Sequence, residues 1–170
     1  NLQTPYTWET QLSELGQKQF ASKEEKDAAA KALWEELIDS GKLGYMALLR
    51  NLRNILQVKV SPAHIEKVAS IISDPEKVAK SKQLPFRFLA AYKELMVVKS
   101  SHTSLILSAL EDAVKASVVS LQGFGIDTDV LVAADVSGSM FQSVSAKSSV
   151  MLYDIGILLS MLLKSKCSSV

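Results

Sequence analysis

"YMALLRNLRNIL", residues 45–56, carries Tyr45, Leu49, Leu52 and Leu56 at spacings of three and four residues. That period puts all four on one stripe of an α-helix, whereas a half-buried strand needs alternation by two. The opposite face then displays Arg50, Asn51, Arg53 and Asn54. Such a helix buries one side and offers cations and amides on the other.

The same pattern extends in both directions. Upstream, Trp8, Leu12 and Leu15 follow Thr7, a good N-cap, with Gly16 as a stop signal. Ser22 with Glu25 forms a capping box ahead of Ala30, Leu33, Trp34, Leu37 and Ile38, and Gly41 closes that helix. Downstream, Ser61-Pro62 and Asp74-Pro75 place proline at the first helical position, where a missing N–H costs nothing. Ile65, Val68, Ala69 and Ile72 make an inner face, and the segments 86–98 and about 103–119 repeat the pattern. They carry Phe88, Leu89, Tyr92 and Leu95, then Ile106, Ala109, Leu110 and Ala113. Helix follows helix without a strand, which predicts hairpins stacked as a curved α-solenoid of irregular repeats.

Composition bounds the function classes. Among 170 residues, 48% are hydrophobic and 22% charged, enough for an ordinary folded core. Lys and Arg exceed Asp and Glu by one, 19 against 18, so any basic binding surface must be local. One cysteine, Cys167, excludes an internal disulfide and fits a reducing, cytoplasmic compartment. With only His64 and His102 beside it, an all-protein zinc cage is not expected. The apolar run 150–163 is shorter than the roughly 20 residues of a spanning helix and contains Asp154, so a buried helix rather than a membrane span is expected. The chain opens on Asn1 without a cationic-then-apolar signal segment, as expected of an internal piece or a processed product.

At residue 121 the pattern changes. "LQGFGIDTD" is a turn-rich connector, Val130–Ala134 an unbroken apolar run typical of a strand buried in a parallel sheet, and 143–165 a further helix. Strand, loop and helix open an α/β domain, which divides the chain into 1–122 and 123–170. Beyond the strand, "DVSGSM" sets Asp135, Ser137 and Ser139 around Gly138. Ligands of parallel α/β sheets sit at the carboxyl ends of strands, and a carboxylate with two hydroxyls is a hard-oxygen set suited to Mg²⁺, or to Mn²⁺ or Ca²⁺. The same residues also suit a capped turn at a helix start.

"DVSGSM" resembles the metal-ion-dependent adhesion site of von Willebrand factor A domains. Upstream, "TWE" (7–9), "YMALLRNLRN" (45–54), "LPFRFLAAYKEL" (84–95) and "ALEDAV" (109–114) together resemble the TROVE module of the Ro autoantigen and its bacterial relatives. This resemblance implies a protein that joins a ring of HEAT-like repeats to an A-type domain, and implies binding of small noncoding RNA, including Y RNAs and the single-stranded ends of misfolded transcripts. It implies metal ligation by Ser137 and Ser139, with Asp135 bound directly or through water. The family's further ligands, a threonine and an aspartate on later loops, have no counterpart up to Val170, so the implied site is incomplete. A lone strand at Val130–Ala134 would leave both edges unpaired, so the chain is expected either to associate with another or to be a piece of a larger ordered protein.

Phosphate binding needs clustered cations. Arg50 and Arg53, beside Asn51 and Asn54, form one cluster, and Lys77, Lys80, Lys82 and Arg87 form a second around a loop. Trp8, Trp34, Phe88 and Tyr92 fall on apolar stripes and read as core rather than stacking platforms, and His64 and His102 as surface or capping residues. An RNA-binding scaffold is therefore expected, with a metal-dependent protein adhesion module as the alternative. An enzyme is not, since no nucleophile elbow, phosphate loop or carboxylate pair with a base appears.

Overall fold

Thr7 accepts the Thr10 N–H and opens the first helix, α1, Trp8–Gln17. In this computed structural model, which describes residues 5–121, 123–146 and 148–170, seven further helices follow. They are α2 (Lys23–Asp39), α3 (Tyr45–Gln57), α4 (Pro62–Ser73), α5 (Pro75–Ser81), α6 (Pro85–Leu95), α7 (Thr103–Ser117) and α8 (Leu152–Lys166). Short 3₁₀ turns cover Val118–Ser120 and Gly138–Met140. No helix is long and apolar enough to cross a membrane among the described residues.

Local chemistry sets these boundaries as the sequence implies. Ser22 accepts the Glu25 N–H while the Glu25 carboxylate reaches back to the Ala21 N–H, and Gly41 turns the chain at φ 66° after α2. Ser61 and Asp74 cap α4 and α5 ahead of their prolines, and Pro85 takes the same first position in α6 after Leu84, which supplies no side-chain cap. The inner faces then meet. One continuous core runs from Trp34, Leu37 and Ile38 through Leu48, Leu52 and Ile55 to Ile65, Val68, Ile72, Phe88, Ile106 and Leu110.

In this core α3 packs on α4, α5 and α6, while α7 lies against the same three helices from further along the chain. Phe88 meets Tyr45 edge-on with ring centroids 6.4 Å apart. The Tyr45 hydroxyl donates to the Ile72 carbonyl at 2.8 Å, and burial followed by the charge of Asp74 raises its pKa. A polar latch joins α2 to α4. Glu35 accepts the Ser61 N–H at 2.8 Å, and His64 bonds Ser61 Oγ at 2.6 Å and the Asp39 carboxylate at 3.1 Å. His64 thus links helices, as a structural residue would.

The C-terminal segment departs from the expectation. The strand expected at Val130–Ala134 does not form, and no strand occurs among the described residues; isolated bridges pair Asp129 with Ser169 and Ser143 with Met151. A parallel strand draws its hydrogen bonds entirely from neighbours, and here one bond, Val130 N–H to the Ser169 carbonyl, is all that adjoins it. Leu131 is 96% exposed as a result. The helix expected from residue 143 begins at Leu152 instead. Val144 N–H donates to the Val150 carbonyl and Leu152 N–H to the Gln142 carbonyl, so these groups bond across a serine-rich loop instead of along a helix. Residues 1–4, Gln122 at the expected domain boundary, and Lys147 within the expected helix lie outside the described residues.

Asp154, the residue that counts against a membrane span, anchors α8. Its carboxylate accepts the Met151 N–H at 2.8 Å and pairs with Lys93 of α6. Lys166, at the far end of α8, donates to the Leu121 carbonyl, so both ends of this helix are tied to the helical array.

Candidate nucleic-acid interface

Helix α3 carries the clearest cluster of exposed cations. Arg50 and Arg53 stand one turn apart on α3, both exposed, while Leu48, Leu49, Leu52, Ile55 and Leu56 turn inward. α6 packs alongside, and Arg87 projects from its first turn. Between the two helices lies a groove of about 470 Å³ bordered by Arg50, Arg53, Arg87, Ala90, Ala91 and Glu94.

Three guanidiniums thus face one groove with one carboxylate. Among the described residues none of the three forms an ion pair, so all remain available to an anionic ligand. Arg87 lies with its guanidinium carbon 5.3 Å from the Phe86 ring centroid, which restrains it over an aromatic face. Guanidiniums are weakly hydrated planar forks matched to phosphate oxygens.

Sequence spacing joins Arg50 to Arg53 but assigns Arg87 to a different cluster. The structure divides that second cluster. Lys80 is exposed, pairs with Glu76 at 3.8 Å, and borders a separate depression with Lys67 and Lys77. Lys82 caps α5 in a left-handed conformation at φ 51°. Lys77 is held by Asp74 at 3.6 Å. Glu94, Ala90 and Ala91 escaped the sequence reading, although they follow Arg87 at helical spacings of three, four and seven.

Asn51 requires correction. Expected on the polar face, it is only 3% exposed: its amide donates to the Ala47 carbonyl at 2.8 Å and its Oδ1 accepts from Asn54 at 2.9 Å. Its angle on the helix, one turn after Leu48 and one before Ile55, places it on the buried stripe despite its polarity. Asn54 remains exposed, oriented by that bond. Trp34 and Phe88 are fully buried, and Trp8 and Tyr92 pack against the core, as the apolar stripes imply.

The oxygen loop is separate from this groove. Asp135 Oδ1 accepts the Ser137 N–H at 2.8 Å, and Ser137 Oγ and Ser139 Oγ stand 2.9 Å apart. The Ser137 N–H, followed by its hydroxyl, holds the Asp135 carboxyl below its ordinary pKa. All three side chains are exposed, and the ring of Phe141, 4.8 Å from that of Tyr153, ties the loop to α8. Bonds of about 2.1 Å in an octahedron set neighbouring oxygens about 3 Å apart. The two hydroxyls have that separation as partners in a hydrogen bond to each other, and one carboxylate with two hydroxyls is the hard-oxygen chemistry that such a cation takes. No group of three or more His, Cys, Asp or Glu side chains converges as a metal site among the described residues.

Residues 1–111 match the TROVE domain. The chain is similar to telomerase protein component 1 of Rattus norvegicus, 43% identical over 94 residues, and to that of Mus musculus, 42% identical over 94 residues. Each alignment covers 55% of this chain and 3% of the rodent protein, so the chain spans a small fraction of these relatives' length. No solved structure matches it.

Proposed function

Because the chain belongs to the TROVE domain family, we propose that it is an RNA-binding scaffold of a ribonucleoprotein, with the α3–α6 groove as its contact to the RNA backbone. The observation that carries this reading is the convergence of Arg50, Arg53 and Arg87, exposed and without an ion-pair partner among the described residues, on one groove of a near-neutral chain. Its rodent relatives are named protein components of telomerase, and a role within an assembly that contains RNA agrees with that name. The RNA class we favour is small and noncoding, Y-like, or a misfolded transcript with a free single-stranded end. HEAT-like repeats up to residue 122 would present it.

A second element of the proposal concerns residues 123–170 as the front of an A-type domain. Asp135, Ser137 and Ser139 would supply three oxygens to a divalent cation, best Mg²⁺, whose chemistry there is to accept a carboxylate from a protein partner. The hard-oxygen chemistry of one carboxylate and two hydroxyls supports this role. None of these three residues borders the arginine groove, so the two functions would use different residues.

The RNA reading is tested by reversing Arg50 and Arg53 to glutamate and titrating a single-stranded RNA in a filter-binding assay over a range of salt. Each phosphate contact on a single strand contributes a slope of about 0.7 in log K against log salt, so two lost contacts lower the slope by about 1.4. Because backbone contacts read no sequence, affinity should fall to a similar extent for unrelated sequences. An unchanged affinity and slope would show α3 to be a solvated face.

A further inference from the structure

A second groove, of about 820 Å³, lies around the C-terminal turn of α3. It is bordered by Lys31 of α2, Arg53 and Gln57 of α3, Lys59 of the α3–α4 turn, and Lys99 and His102 of the α6–α7 loop. Arg53 borders this groove and the arginine groove alike, so the two meet at that side chain. No carboxylate lines the second groove among the described residues.

The cations here are free or weakly held. Lys59 and Lys99 are exposed and form no ion pair among the described residues. Lys31 reaches Glu35 only at 4.0 Å with its side chain 44% exposed, a contact of little energetic weight. Lys59 also holds a left-handed backbone, φ 55°, uncommon for a residue with a Cβ. Ser100 and Ser101 add hydroxyls along the same wall, the groups that commonly bond phosphate and sugar oxygens.

We infer that the bound RNA does not end at the arginine groove but turns at Arg53 and continues as a single strand through this second groove, its phosphates taken by Lys31, Lys59 and Lys99. The inference rests on the proposed RNA-binding role and extends it to a path of defined course. Few aromatic side chains face either groove, so the strand is held by its backbone and read with little sequence preference.

The test uses two double variants and two oligouridylates, one of about five nucleotides and one of about twelve, within the range of site sizes of single-strand grooves. Lys59→Glu with Lys99→Glu alters the second groove alone, and Arg50→Glu with Arg87→Glu alters the first alone. All four side chains are exposed, and circular dichroism checks that the helices persist. The lysine variant should leave the short oligonucleotide within about twofold while weakening the longer one at least about tenfold and lowering its salt slope by about 1.4. The arginine variant should weaken both. If the lysine variant binds both oligonucleotides normally while the arginine variant weakens both, the second groove is a solvated face and the RNA reading stands. Equal weakening of both oligonucleotides by the lysine variant would also overturn the path, since a diffuse change of field has that effect. If neither variant affects either oligonucleotide, both the path and the RNA reading fail.

Discussion

Replacing Asp154 with alanine should lower stability by about 2.5 kcal/mol, and Lys93→Met by about 1.5 kcal/mol, while the double variant should be no worse than the first. The figures follow from the two bonds the carboxylate makes. It accepts the Met151 N–H at the start of α8, a capping bond whose loss costs about 1 kcal/mol. It also pairs with Lys93 across the α6–α8 contact, where the side chains are 13% and 28% exposed. Exposed pairs contribute about 0.2–1 kcal/mol and breaking fully buried ones costs about 3–5, so this partly buried pair falls near 1.5. The single effects then sum to about 4 kcal/mol against about 2.5 for the double variant, a coupling of about 1.5. Urea denaturation followed by far-ultraviolet circular dichroism measures all four stabilities, and m-values show whether the unfolding unit stays the same. A coupling below about 0.3 kcal/mol would refute the reasoning and show that apolar packing alone holds α8 on α6.

Two further outcomes are expected. Asp74 caps α5, and the N–H of Lys77 followed by that of Glu76 holds its carboxyl below the ordinary 3.8. A depressed folded pKa contributes stability that is present above the unfolded value and lost as pH falls through the folded one. Asp74→Ala should therefore lower the melting temperature at neutral pH and flatten its decline below about pH 4, and an acid limb as steep as that of the parent would contradict the cap. At the oxygen loop, three ligands from one short segment leave a cation largely to water, so calorimetry should find Mg²⁺ binding of roughly millimolar order that Asp135→Ala removes. Micromolar affinity, or heat that survives the substitution, would count against these oxygens as the ligands.

Sequence alone determined most of the helical architecture, because the information lies within a turn or two of each boundary. Ser22 with Glu25, Ser61-Pro62 and Asp74-Pro75 announce helix starts through bonds to N–H groups two or three residues away. The stripes Ile65–Ile72 and Ile106–Ala113 announce the inner faces, and every residue named on them is buried. Asn51 shows the limit of reading residue type in place of helical angle. The candidate site was half legible: Arg50 and Arg53 are neighbours on one helix, but Arg87 joins them only because α6 packs on α3. Lys80, close to Arg87 in sequence, borders a different depression. Tertiary structure alone decided that division, the meeting of two grooves at Arg53, and the pairing of Lys93 with Asp154. It also decided that Val130–Ala134 forms no strand and that α8 starts at Leu152. The physical reason is common to these cases. A helix satisfies its backbone within itself, whereas a strand, a groove or an ion pair between helices takes its partners from distant parts of the chain.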